Sequence, residues 1–201
     1  DRSEFLNGII CSNAIHLYPN VEETVKSWND SLVSGGKLLI NSGNILNNNK
    51  NGDSVLIDQT VNEIAEHSYG IVMNSEEYSQ YLDLINNFDY INKHNDLRDK
   101  YFLPIKPIEY YTDIIENNGF KITEIRIDDV KANVDEWFDF LKVYHEGIIG
   151  WVGGSKKITG VEPSDEDITN RIKIIKTALN QIFENNETFK ASWNYIICEK
   201  I

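Results

Sequence analysis

The sequence predicts an α/β fold with a parallel pair of strands at its centre, and three features carry that expectation. Gly8-Ile9-Ile10-Cys11-Ser12 is a short apolar run ending in a small polar residue, the pattern of a buried strand. Val21, Val25, Trp28 and Leu32 recur at helical spacing, so the next segment is one amphipathic helix. Gly35-Gly36 then stops that helix, and Lys37-Leu38-Leu39-Ile40-Asn41 opens a second buried strand. Strand, helix, glycine turn and strand together imply two parallel neighbours joined by a right-handed crossover.

The remaining elements follow in order. Asn20, after Pro19, is placed to cap the helix, with Glu23 positioned to bond back. Residues 42–51, rich in Asn and Gly, read as loop. From Asp53 the pattern is helical but polar, with weak apolar stripes at Leu56, Val61 and Ile64 and at Tyr78, Tyr81, Leu82 and Ile85. Residues 53–102 are therefore expected to form a helical insertion, a lid over the rest. Pro107 opens a helix with Ile108, Tyr111, Ile114 and Ile115 on one face, and Asn117-Asn118-Gly119 stops it. Phe120 to Ile127 alternates apolar and polar residues, as a half-exposed strand does. A helix is expected over 134–144, and Ser164 begins another, with Asp167 three residues on and Ile168, Ile172, Ile175, Leu179 and Ile182 along one face. Trp193 to Glu199 forms the last strand. No repeat or linker interrupts the chain, so residues 1–201 read as a single domain.

Composition narrows the function. The chain has 201 residues, 41% hydrophobic and 25% charged, the proportions of a soluble globular protein with one good core. No apolar run approaches the roughly 20 residues of a membrane helix, and Asp1-Arg2-Ser3-Glu4 resembles no targeting peptide, so no membrane partner is expected. There is no initiator Met, and Asp1 is not expected to be the natural start. A net charge of -13 with scattered Lys and Arg argues against nucleic acid, which demands clustered cations; Lys156-Lys157 is the one notable pair near a candidate site. Cys11 and Cys198 sit in apolar strand-like runs and are expected as buried thiols of a cytoplasmic protein, not as a disulfide.

The stretch Ile9-Ile10-Cys11-Ser12-Asn13-Ala14-Ile15-His16-Leu17, followed by a helix and then by Leu32-Val33-Ser34-Gly35-Gly36-Lys37-Leu38-Leu39-Ile40, resembles class I S-adenosylmethionine (SAM)-dependent methyltransferases. The helix ending at Asn118-Gly119-Phe120 resembles the element that comes next in that family. The segment from Trp137 through His145-Glu146-Gly147 to Trp193-Asn194-Tyr195 is similar to small-molecule methyltransferases and to the methyltransferase domains of polyketide synthases. The resemblance implies a Rossmann-like methyltransferase fold, a parallel sheet with an antiparallel C-terminal strand, and SAM as cofactor. It also implies a small-molecule or acyl-carrier-bound acceptor.

One large departure stands against the family pattern. Family members begin with a strand, a glycine-rich turn and an acidic ribose ligand, because glycine lets the backbone approach the cofactor and a carboxylate binds both ribose hydroxyls. No G-x-G occurs here, and Asp1 and Glu4 come too late in the family order to take the ribose. The chain alone is expected to lack a complete cofactor site, its N-terminal half being supplied in cis or by a separate chain. A degenerate half-domain that binds a partner and no cofactor, acting as a scaffold, is the alternative.

In doubly wound sheets ligands sit outside the carboxyl ends of the strands. Ser12, Asn13, Ala14 and His16 follow the first strand at such an end. The resemblance assigns Ser12, Asn13 and Ala14 to the cofactor and His16 to the general base, an imidazole of near-neutral pKa taking a proton during methyl transfer. The competing reading is a histidine that caps the helix start or packs beneath the lid. Carbon-methylating members carry a glutamate after the next strand; here Asn41-Ser42-Gly43-Asn44 has no carboxylate, which favours an oxygen acceptor. His145, Glu146 and Trp151, in a glycine-rich stretch running to Gly154, are candidate acceptor contacts, or else a plain helix C-terminus. Tyr110 is a further acceptor contact, while Tyr111 is expected in the core. His67 and His94 are expected in solvent, and no set of residues has metal-ligand spacing.

Overall fold

A computed structural model of the chain describes residues 6–184 and 188–201. Asp1 and Glu4 lie outside the described residues. In chain order the main elements are β1 (Leu6–Ser12), α1 (Val21–Ser31), β2 (Leu32–Ser42), β3 (Ser54–Val55), α2 (Ile57–Met73), α3 (Leu82–Ile85) and α4 (Phe88–Tyr101). There follow α5 (Ile108–Asn117), β4 (Phe120–Ala132), α6 (Val134–Leu141), α7 (His145–Ile149), α8 (Lys156–Thr159), α9 (Asp165–Ile182) and β5 (Phe189–Lys200). Two compact units divide them. One holds residues up to Ile57, Leu103–Val130 and Lys190–Ile201; the other holds Asp58–Phe102 and Lys131–Phe189.

The first unit is the sheet unit. β1 runs parallel to β2, with Ile9 opposite Leu38 and Cys11 opposite Ile40. β5 lies antiparallel on the other side of β2, with Cys198 opposite Leu38 and Ile196 opposite Ile40. β4 and the short β3 also pair with β5. The mixed α/β class is the one expected, with a parallel pair and an antiparallel C-terminal strand. The side chains of Cys11, Leu38, Ile40, Ile196 and Cys198 form one face, and they pack with Val21 and Val25 of α1 and Ile108, Tyr111 and Ile115 of α5. Tyr111 is core, as expected, and burial raises its hydroxyl pKa to about 12. Both cysteines are buried free thiols, and burial pushes Cys198 up to about 12.

One local expectation changes and one holds. α1 ends at Ser31, with Leu32 as its cap, so Gly35-Gly36 does not stop the helix. Those glycines lie inside β2, where Gly35 takes φ 75° and the β1–β2 register shifts between Leu6 and Gly8. Only glycine adopts that backbone without strain, so the pair shapes an irregular strand entry. Asn20 does cap α1, accepting from the Glu23 amide at 3.1 Å.

The opposite face of the sheet carries an apolar row. Ile10, Leu39 and Ile197 stand side by side across three strands; Ile10 is 73% exposed and Leu39 39% exposed. β1 is also the end of the strand order.

The second unit is helical. The stretch 53–102, expected as a lid, contributes its residues 58–102 here and packs with 131–189. Val61, Ile64, Tyr78, Tyr81 and Leu97 are buried, as are Trp137, Ile148, Ile149, Ile174, Ile175 and Leu179. Asn133 with Glu136 and Ser164 with Asp167 form reciprocal caps for α6 and α9. Phe183 stacks on Phe189 at 3.7 Å, with Trp137 edge-on to Phe189. His94 is a correction: it is only 5% exposed, its Nδ1 lies 2.8 Å from the Tyr90 carbonyl, and its ring packs 4.3 Å from that of Tyr90. Its position on the inner face of α4 beside buried Leu97 overrides the polar sequence around it. His67 is exposed, as expected, and bonds to Gln181.

The exposed row predicts that the sheet unit associates through its open face. Ile10→Lys should lower concentration-dependent self-association in sedimentation velocity while leaving the melting temperature within a few degrees of the parent. Undiminished association in that variant would place the contact elsewhere.

Candidate functional site

The site grows from the carboxyl ends of β1 and β2. Asn13, the residue after β1, adopts φ 49°, a left-handed turn that asparagine tolerates better than most residues. Its amide donates to the Asn41 carbonyl at 2.8 Å and faces the Asn41 Oδ1 at 3.3 Å, while its own Oδ1 accepts from the Gly43 amide at 3.3 Å. Asn41 Oδ1 also accepts from Ser12 Oγ and from Trp193 Nε1, each at 3.2 Å. One side-chain carbonyl thus joins the ends of β1, β2 and β5. Gly43 has to be glycine for this to work, because a Cβ there would lie 2.4 Å from the Trp193 ring.

His16 sits in a short 3-10 turn (Ile15–Leu17) anchored by fully buried Ile15. Its Nδ1 lies 2.9 Å from Ser42 Oγ, and that buried oxygen also accepts from the Asn44 amide at 3.0 Å. When Nδ1–H donates to Ser42, the Nε2 lone pair is the group left to take a proton. The sequence suggested a near-neutral imidazole. Instead partial burial lowers the His16 pKa from 6.5 to about 4, because no counter-charge offsets the cost of partly desolvating an imidazolium. At neutral pH the ring is uncharged.

The other candidates fall in different places. Tyr110 belongs to the sheet unit, is 37% exposed, and meets Tyr111 edge-on at 5.2 Å, with Lys106 Nζ 5.8 Å from its ring. His145, Glu146 and Trp151 belong to the helical unit. His145 opens α7 and does not close a helix; its Nδ1 is buried with no hydrogen-bond partner, and burial followed by the Arg171 charge lowers its pKa. Glu146 accepts from Ser155 Oγ at 2.5 Å and from the Tyr101 hydroxyl at 2.9 Å, and the Ser155 bond leads in holding it below the usual carboxylate range. Trp151 is 2% exposed and stacks on Tyr69 at 5.1 Å.

In the sequence Asn41 and Ser42 stand out only for the carboxylate they lack, although their place at a strand end is a signal for this role. Lys157 stands out as half of the Lys156-Lys157 pair, but its meeting with Tyr101, 45 residues before Glu146, has no local signal. Among the described residues no group of three or more His, Cys, Asp or Glu could hold a metal ion, and no helix is long and apolar enough to cross a membrane.

No protein-family model and no curated protein matches the chain. Among solved structures it is similar to the YcgJ protein of Bacillus subtilis, at 13% identity and a TM-score of 0.47, over 98% of this chain and 65% of that one. It is similar to the [4+2]-cyclase SpnF at 10% identity and a TM-score of 0.42, over 98% of this chain and 52% of that one. It is also similar to a Haemonchus contortus phosphoethanolamine N-methyltransferase in complex with phosphomonomethylethanolamine and S-adenosylhomocysteine, at 14% identity and a TM-score of 0.40, over 98% and 34% of the two chains. The chain spans less than two thirds of the length of each of these structures.

The lowered His16 pKa has a stability consequence. Between 6.5 and about 4 the unfolded chain binds a proton that the folded chain refuses, so stability falls as pH drops through that window. His94 and His145, also lowered by burial, act in the same direction. Urea midpoints should be lower at pH 5.5 than at pH 7.5, and His16→Gln should reduce the difference. An equal or larger difference in His16→Gln would show that His16 is not titrating this way.

Proposed function

We propose that the chain is part of a SAM-dependent methyltransferase acting on oxygen of a small-molecule or acyl-carrier-bound acceptor. The observation that carries this reading is the strand-end cluster: a neutral His16, paired to Ser42 and to no carboxylate, at the carboxyl ends of a parallel strand pair.

The cluster fits one wall of a SAM site. Ser12 is exposed and Asn13 and Ala14 are half-buried, so they can line it, with the Asn41 bonds holding their backbone in place. The described part of the cluster offers no glycine turn and no carboxylate for a ribose. Those parts are assigned to a segment preceding β1, in cis or on a second chain, which would also cover the row of Ile10, Leu39 and Ile197. When bound, SAM supplies an electrophilic methyl on a sulfonium, and the residues here hold the acceptor in line with it. His16 Nε2 would take the acceptor's hydroxyl proton as its oxygen receives the methyl, the donor's sulfur–methyl bond breaking to leave S-adenosylhomocysteine.

A pKa of about 4 limits which acceptors that base can serve. A hydroxyl becomes strongly acidic as the methyl arrives, so a weak base suffices late in the reaction. A carbon-bound proton must leave first, and that demands a stronger base with a stabilised imidazolium. Ser42 cannot stabilise an imidazolium as a carboxylate would. This favours oxygen over carbon.

The test uses the chain together with its complementing segment, carbon-13-labelled methyl donor and NMR of the product. The expected signal is a methyl ether or ester, and an upfield carbon-bound methyl would overturn the assignment. His16→Ala should lower turnover about 10²-fold with little change in cofactor affinity, and kcat/KM should stay flat through neutrality and decline only towards pH 4. Parent-level turnover in that variant would remove His16 from the mechanism.

A further inference from the structure

The helical unit holds a cationic groove that the methyl-transfer reading does not use. α4 and α8 line a cleft of about 520 Å³ with Lys93, Lys100, Lys157 and Tyr101. Lys37, Lys142, Lys156, Lys173, Lys176 and Lys190 are each ion-paired. Among the described residues Lys93, Lys100 and Lys157 form no such pair, and all three are exposed. Asp96 also lines the cleft and Glu146 stands behind Tyr101, so three lysines less two carboxylates leave a surplus of one positive charge. In a chain of net charge -13 a local surplus of that sign is against the average.

The groove is also organised. Lys157 Nζ donates to the Tyr101 hydroxyl at 2.7 Å and lies 4.4 Å from its ring centroid. The same hydroxyl donates to Glu146, whose other oxygen is held by Ser155. Glu146 therefore fixes Tyr101 and Lys157 from behind, its own oxygens already engaged. Buried Leu97 and half-buried Ile158 supply an apolar floor.

We propose that this groove binds a small organic phosphate, its phosphoryl group among the three ammonium groups and its organic part on Leu97 and Ile158. A dianion gains more from three cations lining one cleft than a carboxylate does. The volume suits a small molecule, and the overall negative charge disfavours a polyanion. The site lies within the helical unit and does not depend on the methyl-transfer reading.

Calorimetric titration of the 201-residue chain with phenyl phosphate, inorganic phosphate and benzyl alcohol tests it. Phenyl phosphate should bind more tightly than inorganic phosphate, benzyl alcohol should not bind measurably, and added salt should weaken the phosphate ligands. Lys157→Gln, and separately the double variant Lys93→Gln/Lys100→Gln, should each lose at least about tenfold in affinity at an unchanged melting temperature. Lys157→Arg should keep most of it. Lys106→Gln, which removes the same charge from the sheet unit, should bind as the parent does. Equal affinity for phenyl phosphate and inorganic phosphate would overturn the organic part of the assignment. No phosphate binding, or the same loss in Lys106→Gln, would overturn the site.

Discussion

β2 is the strand on which the sheet unit depends. It pairs in parallel with β1 and antiparallel with β5, so it holds the two directions of the sheet together. Leu38 and Ile40 carry its inner face into the core, and Asn41 and Ser42 emerge at its end, where Asn41 Oδ1 gathers bonds from β1 and β5 and Ser42 receives His16. The residue that sets the geometry is therefore one step past the last core residue of the strand. Packing and chemistry meet at that step: shifting the register by one would send Asn41 inward and expose Ile40.

The helical unit is built around a different constraint. Arg171 is fully buried, and its guanidinium donates to the carbonyls of Val152, Gly150 and Gly154. A cation in the core without a directly bonded carboxylate is costly unless its donors are satisfied, and backbone carbonyls of the loop after α7 satisfy most of them. That requirement explains why the glycine-rich stretch around Trp151 is wrapped inward. The loop serves the core of its own unit, and Tyr90 adds a bond to the Trp151 carbonyl at 2.8 Å.

Much of the sheet unit was legible in the sequence because its signals are local. Alternation and apolar runs identified the strands, Asn20 and Pro107 marked helix starts, and the strand end placed His16 where it is found. What the sequence could not give is long-range. Asn41 acts through Trp193, distant in sequence, and the His16 pKa depends on burial, to which spacing is blind. Gly35-Gly36 read as a helix stop because glycine is ambiguous between a cap and a strand irregularity. His94 looked solvated because its immediate neighbours are polar, whereas helix-face geometry set beside Leu97 decides its burial. The union of residues 58–102 with 131–189 is likewise a tertiary fact, invisible to a pass along the chain.

In the proposed reading a strand with a glycine turn ahead of β1, in cis or on a second chain, would cover the exposed Ile10 and Leu39 and complete the strand-end wall. S-adenosylhomocysteine titrated into the 201-residue chain alone, and into the chain supplied with such a segment in cis or in trans, tests that most directly. The proposed incomplete site predicts no binding by the chain alone and saturable one-to-one binding once the segment is present. Micromolar binding by the chain alone would contradict the incomplete site, and no binding in either case would leave a scaffold in place of an enzyme.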